Sequence, residues 1–314
     1  MLVKILLTGA NGFLGSSLAV NLNARPYVRL TAAVRRRVEI PASYFFEVSG
    51  LYANTDWSTA VANQQVVIHA AARAHIMKDE VSDPLAEYRR INVDGTLNLA
   101  RQTAAAGVDR FIFISSIKVN GEQTPLGQPF TADDTAAPED AYGISKWEAE
   151  QGLKKIAAET GMEVVIIRPP LVYGPNVKGN FASMINLVER GFPLPLGAIH
   201  NQRSLVALDN LVDLIITCID HPAAANQVFL AGDGQDLSTT ELLLGVAKAA
   251  GKRSRLIPFP SSLLMLAATL LGKKLVAQRL LGSLQVDISK ARDLLGWEPP
   301  LSTEEGLRRC FSKD

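Results

Sequence analysis

The sequence predicts an α/β protein: a doubly wound parallel sheet with a smaller, mostly C-terminal lobe. Three observations predict it. In the first half, short runs apolar on both faces alternate with longer helical stretches, the pattern of a parallel sheet covered by helices on both sides. A glycine-rich turn joins the first such run to the first helix. After Pro170 the alternation gives way to Gly- and Pro-containing loops.

Val3–Leu7 reads as a buried strand, Phe13–Ala24 as a helix, and Val28–Val34 and Gln65–Ala70 as further strands. Glu87–Ala106 is a helical stretch stopped by Gly107, and Tyr142–Thr160 is another stopped by Gly161. Arg110–Ile114 and Glu163–Ile167 are strands between them, the second closed by Pro169-Pro170. Val206–Ile219 reads as a strand edge and then a helix, Gln227–Ala231 as a short strand, and Thr239–Ala250 as a helix capped by Ser238. The expected division is 1–174 plus about 203–231 as one domain, with about 175–202 and 232–314 as the lobe.

Composition narrows the function classes. The 314 residues carry 32 Lys+Arg against 31 Asp+Glu, a net charge of +1, so no broad basic surface for nucleic acid is expected. At 47% hydrophobic residues the chain has material for a large core. Its two cysteines, Cys218 and Cys310, cannot form a disulfide framework; they read as buried free thiols in a reducing cytoplasm. Four scattered histidines offer no metal-ligand spacing. The run Met1–Leu7 is too short for a secretory signal core. Leu263–Leu271, followed by Gly272-Lys273-Lys274, is about half of what a bilayer needs and is expected to be a core or interface helix, not a membrane insertion.

The turn Thr8-Gly9-Ala10-Asn11-Gly12-Phe13-Leu14-Gly15 sits where a dinucleotide-binding turn must. Gly9 permits the tight bend, Gly12 lets the backbone approach a pyrophosphate, and Gly15 allows close helix–strand packing. The helix that follows offers free N–H groups and the positive end of its dipole.

This turn, with its G-x-x-G-x-x-G spacing, resembles the extended, nucleotide-sugar branch of the short-chain dehydrogenase/reductase superfamily, which has a Rossmann fold. Further motifs follow in order: Ser115-Ser116-Ile117-Lys118-Val119-Asn120-Gly121, Tyr142-x-x-x-Lys146, Arg168-Pro169-Pro170-Leu171-Val172-Tyr173-Gly174-Pro175, Arg203 to Asp209, and the closing Asp287 to Ala291 and Leu295-Gly296-Trp297. In one respect the chain departs from the pattern: Asn120 stands where the family carries an aromatic residue.

Hydride transfer at a carbonyl needs a proton for the alkoxide, and its reverse needs a base. The four-residue spacing puts Tyr142 and Lys146 on one helix face. Tyr142 is therefore the expected acid/base, and Lys146 is expected to lower its pKa. The resemblance implies that Lys146 also holds the nicotinamide ribose and that Ser116, rather than Ser115, hydrogen-bonds the reacting oxygen. It further places Asp56 near the adenine and lines the cofactor with Ala70, Ala71, Ala72, Asn92 and Pro169, beside Asn11, Phe13 and Leu14 of the turn. His69 reads as structural. Arg35, Arg36 and Arg37 stand where NAD-binding chains place a carboxylate for the ribose 2′-hydroxyl. Arginine suits a 2′-phosphate, which favours NADP(H) over NAD(H).

The resemblance implies a UDP-linked sugar substrate, with Arg203, Asn180 and, more loosely, Arg279 at the diphosphate. Lys118 is a further candidate substrate contact. Ile117 and Lys118 occupy the positions where a 4,6-dehydratase carries Asp-Glu, which argues against dehydration. The arginine run favours a 4-keto reductase of bacterial surface-polysaccharide sugar synthesis. The alternative is a UDP-glucose/UDP-N-acetylglucosamine 4-epimerase, and a remoter one is a non-catalytic NADP-sensing protein. A homodimer, paired through helices 87–106 and 142–160, is also implied.

Overall fold

The computed structural model describes residues 2–36, 39–73 and 82–312; Arg37, third in the arginine run, lies outside them. The first half contains β1 (Val3–Thr8), α1 (Phe13–Asn23), β2 (Val28–Val34), β3 (Tyr44–Glu47), α2 (Ser58–Val61), β4 (Val66–His69), α3 (Pro84–Tyr88), α4 (Thr96–Ala105), β5 (Arg110–Ile114), α5 (Ala141–Thr160) and β6 (Glu163–Arg168). The helix expected over 87–106 starts earlier, at Pro84, and is interrupted by a π-helical stretch, Arg89–Gly95. The later elements are β7 (Leu171–Tyr173), α6 (Asn180–Glu189), β8 (Arg203–Ala207), α7 (Leu208–Thr217), β9 (Val228–Leu230), β10 (Asp236–Leu237), α8 (Thr239–Ala249), α9 (Ser261–Leu270), α10 (Lys274–Leu281), α11 (Ser289–Leu295) and α12 (Thr303–Arg309).

Seven strands form one parallel sheet in the order β3-β2-β1-β4-β5-β6-β9. Its strands are apolar on both faces because both are covered. Leu18 and Leu22 of α1 and Leu211 and Ile215 of α7 pack on one face. Leu99 of α4 and Leu153 and Ile156 of α5 pack on the other. The chain runs from β1 outward through β2 and β3, then crosses back to β4 and proceeds through β5 and β6. The reversal between β1 and β4 opens a crevice at the carboxyl ends of the strands, where ligands of such sheets bind.

A second sheet, β10-β8-β7, carries a separate apolar cluster that includes Tyr173, Phe181, Leu243, Val246 and Leu307. β9 then returns the chain to the main sheet beside β6, with Ile167 opposite Phe229. Ser238 caps α8 in a reciprocal capping box with Glu241. Of the core or interface helix expected over 263–271, the core reading is corrected here: α9 forms but buries none of its residues. Its apolar sequence satisfied the pattern of a core helix, yet among the described residues no layer covers its outer face.

Candidate active site

Four loops meet at the carboxyl edge of the main sheet: those after β1, β4, β5 and β6. The first is the glycine turn. Gly9 has φ +73°, and a Cβ there would come within 2.7 Å of the Ala71 backbone nitrogen. The turn after β1 and the Ala70–Ala72 turn after β4 thus lie in direct contact. A Cβ on Gly15 would meet the Gly9 carbonyl oxygen at 2.0 Å, so only glycine lets α1 start this close to the strand. Gly12 caps α1 without any side-chain acceptor, and Asn11 and Gly12 are exposed. The N–H groups of Phe13, Leu14 and Gly15 are first-turn donors with no partner in their own helix. This cradle fits a pyrophosphate on a helix N-terminus.

His69 is fully buried below the turn. Its Nδ1 is 2.6 Å from Thr8 Oγ1 and its Nε2 2.9 Å from Thr96 Oγ1. Burial pushes its pKa down to about 3, with Lys146 adding to the shift, so the ring is neutral and structural. Asn92, on the π-helical stretch, accepts from the Arg73 backbone N–H at 2.8 Å. Its amide donates to the Arg73 carbonyl and to Ser145 Oγ, both at 3.1 Å. Its side chain therefore ties the loop after β4 to α5. Arg35 and Arg36 stand exposed just past β2, and Asp56, also exposed, accepts from the Ser58 N–H at 2.9 Å.

Ser115 and Ser116 follow β5 and diverge. Ser115 is buried and donates to Glu150 Oε1 at 2.6 Å. Ser116 is half-buried and caps the short turn Ile117–Val119, its Oγ accepting from the Lys118 N–H at 3.3 Å. That cap leaves the Ser116 hydroxyl proton available to a substrate oxygen. The backbone of Ile117 is pinned to the Pro169 carbonyl at 3.0 Å, which joins the loops after β5 and β6. Tyr142 lies in the first turn of α5, next to Gly143, where a Cβ would meet the Lys118 carbonyl at 2.8 Å. The segments bearing Ser116 and Tyr142 are thus packed backbone to backbone.

Lys146 is buried one turn along α5. Its Nζ donates to the Ile114 carbonyl at 2.7 Å and lies 4.4 Å from the Phe113 ring centre. Burial pulls its pKa down to about 7, against the opposing pull of Glu150. The expectation that Lys146 lowers the pKa of Tyr142 is corrected: the phenol is pushed up, first by burial and then by the charge of Asp140 and by Tyr88. The lysine ammonium is 6.0 Å from the Tyr142 ring centre and turned to a carbonyl, too indirectly placed to outweigh burial. Burial thus favours the protonated phenol, which suits donation to an alkoxide; acting as a base would require added positive charge beside the ring when the site is filled.

Lys118 is also placed differently from the expectation of a substrate contact. Its ammonium binds Glu122 at 2.7 Å and Asp140, the N-cap of α5. It braces the helix that carries Tyr142. In the lobe, Arg203 Nη1 donates to the carbonyls of Arg279 and Gly282 at 2.9 and 3.1 Å. Burial lowers the Arg203 pKa, and the nearby Arg279 lowers it further. The structure thus brings together two guanidinium groups, an arrangement that suits a diphosphate. Asn180 stands exposed in the first turn of α6, beside Phe181, which stacks on Tyr173 with ring centres 5.4 Å apart.

Sequence reasoning missed the layer beneath the site. Glu150 takes both Nε and Nη2 of Arg168, at 2.9 and 2.6 Å, besides Ser115. Arg168 Nη1 donates to Asn120 Oδ1 at 3.0 Å, and Asn120 donates in turn to the Thr131 carbonyl at 2.9 Å. The departure at Asn120 therefore lies within a buried polar network that supports the strand ends. The one signal for Glu150 in the sequence was its spacing, four residues beyond Lys146 on the same helix face.

A family model described as the NAD dependent epimerase/dehydratase family matches residues 5–232. A Vibrio cholerae protein named UDP-glucose 4-epimerase is 51% identical over 307 residues, covering 98% of this chain and 94% of the relative. A Bacillus cereus UDP-glucuronic acid 4-epimerase, solved in complex with NAD, superposes with a TM-score of 0.77 at 24% identity, covering 98% of this chain and 95% of that one. The UDP-N-acetylglucosamine 4-epimerase from Bacillus cereus superposes with a TM-score of 0.79 at 19% identity, with 98% and 97% covered. The two structural likenesses carry the fold; the glycine cradle, the Ser116–Tyr142–Lys146 arrangement and the sequence matches together make this chain a nicotinamide-dependent enzyme of the NAD dependent epimerase/dehydratase family, within the extended short-chain dehydrogenase/reductases.

Proposed function

We propose that the protein is a UDP-hexose 4-epimerase, inverting C4 of a UDP-linked hexose or N-acetylhexosamine. The observation that carries this reading is the 51% identity, over nearly the whole chain, to a protein named UDP-glucose 4-epimerase. The 4-keto reductase expected from the sequence rests on the arginine run, and that relative supports the alternative instead.

In this reading Tyr142 takes the proton of the C4 hydroxyl and returns it after inversion. Ser116 holds the same oxygen with its hydroxyl. Lys146, anchored on the Ile114 carbonyl, supplies the neighbouring charge. Arg203 and Arg279 take the diphosphate, and the first turn of α6 with Asn180 flanks it. A bound nicotinamide would supply reversible hydride transfer, taking the hydride from C4 and returning it there, with no net consumption of cofactor. Arg35 and Arg36 support a 2′-phosphate and hence NADP(H), while the family's description names NAD. The reading includes a division of labour between 1–174 with 203–231, for the cofactor, and 175–202 with 232–314, for the nucleotide sugar. It also includes a cytoplasmic homodimer paired through α4 and α5, where Trp147 is an exposed aromatic.

The test is direct. The purified protein is denatured and any released nucleotide identified; intact protein is then incubated with UDP-glucose and UDP-N-acetylglucosamine and the galacto products assayed. Epimer without net cofactor consumption is expected, and Tyr142→Phe should lower turnover by about 10²–10⁴-fold. Stoichiometric NADPH oxidation by a UDP-4-keto sugar, with no epimer formed, would overturn the proposal in favour of the reductase.

A further inference from the structure

We propose that the α9–α10 hairpin docks the protein on an anionic phospholipid surface. Two independent features of residues 251–281 point there. The first is charge. This segment holds Lys252, Arg253, Arg255, Lys273, Lys274 and Arg279 and no acidic residue, in a chain whose net charge is only +1. All six are exposed, and among the described residues none forms an ion pair with a carboxylate.

The second is apolar exposure. Leu263, Leu266 and Leu270 follow a three- and four-residue spacing on one face of α9 and are 48%, 57% and 79% exposed. Leu271 continues that face at 73%, and Val276 on α10 is 56% exposed. The opposite side of α9, with Leu264, Met265 and Ala268, is half-buried, and α9 packs on α10. The hairpin is therefore held by one side and presents the other to solvent.

Exposed leucines along one helix face, with lysines and arginines in the flanking sequence, are what a helix lying in a membrane interface presents. The ten residues of α9 span about 15 Å, half of a bilayer core, so the helix lies in the interface plane and does not cross. A second copy docking through the same face about a two-fold axis would set the cations of one segment against those of the other, a repulsion that anionic headgroups replace with attraction. The hairpin also joins the candidate substrate site: the carbonyls of Arg279 and Gly282, at its end, accept from Arg203. The docking surface stands whichever reaction the enzyme performs.

The test is flotation of the full-length protein with phosphatidylcholine vesicles, with and without phosphatidylglycerol. Binding to the anionic vesicles alone, weakened by high salt, is expected. Lys273→Glu with Lys274→Glu should lower vesicle affinity by roughly 25-fold or more, taking about fivefold per lysine. Leu266→Glu with Leu270→Glu should abolish it while leaving the thermal transition and turnover of a water-soluble substrate unchanged. Absence of flotation, or flotation untouched by both pairs of substitutions, overturns the proposal. So does a dimer that dissociates in Leu266→Glu/Leu270→Glu without any vesicle binding by the parent protein, since that assigns the face to a second copy.

Discussion

Replacing Glu150 by alanine should destabilise the protein by about 3–5 kcal/mol, the usual consequence of removing one partner of a buried ion pair. The structure supports the upper part of that range. The Glu150 side chain is wholly buried and its carboxylate accepts three hydrogen bonds, two from Arg168 and one from Ser115. Arg168 is itself buried, and without Glu150 its guanidinium keeps, among the described residues, only Asn120 as a side-chain partner. Against a total stability on the order of 5–15 kcal/mol, such a loss is large. The assay is urea unfolding followed by tryptophan fluorescence, for which the chain has three reporters. The double variant Glu150→Ala/Arg168→Met should be less destabilised than Glu150→Ala alone, because the stranded charge is then gone. A second readout separates support from mere packing. Glu150 is the group that favours the charged form of Lys146, so Glu150→Gln should move the Lys146 pKa below about 7 and shift the alkaline fall of activity to lower pH. A Glu150→Ala protein within about 1 kcal/mol of the parent, or strictly additive single changes, would refute the reasoning.

Gly15→Ala must displace the Gly9 carbonyl, 2.0 Å from the added Cβ; it should cost about 1–3 kcal/mol and sharply weaken nucleotide retention, measured by thermal melting and by the nucleotide released on denaturation. His69 stays neutral in the fold to about pH 3 but protonates near 6.5 when unfolded. The unfolded chain then binds the extra proton, so its contribution is complete above pH 6.5 and is lost as pH falls towards 3, by about 1.4 kcal/mol per pH unit within that window; His69→Gln should flatten that slope in acid titrations of stability. Tyr173→Phe removes the donor to Asp233 Oδ2, a contact of 2.6 Å inside the lobe, and should cost about 1–3 kcal/mol in thermal unfolding, with little change in turnover.

The parallel strands were legible because burial on both faces leaves a run such as Phe111-Ile112-Phe113-Ile114 with no polar alternative. β3 was not: Tyr44 and Glu47 are exposed, and this edge strand exists only because β2 offers it a partner. β7 and β10, three and two residues long, are likewise set by pairing with β8 and not by local pattern. Within the site, motif order singled out Ser116, and the structure supplies a physical reason in the diversion of Ser115 to Glu150. The direction of the Tyr142 shift was illegible because it depends on burial and on Asp140, neither of which the Tyr–Lys spacing encodes. The Glu150–Arg168 pair joins a helix to the strand after it, so no single periodic segment contained it. The Leu263–Leu271 run could be read as a helix, but whether anything covers a helix is a property of the assembled molecule.

The return of β9 to the main sheet has a consequence for how the protein is made. β6 ends at Arg168 and its outer neighbour starts at Val228. At about 5–20 residues per second, a ribosome takes several seconds to deliver the intervening stretch. During that interval the nascent sheet carries an open row of backbone donors and acceptors along β6, the kind of edge to which foreign strands add. Only three residues finally close it. Chaperones that meet this chain therefore meet it with its large sheet nearly complete and its last seam unsealed, and the speed of translation through residues 169–230 becomes a determinant of yield.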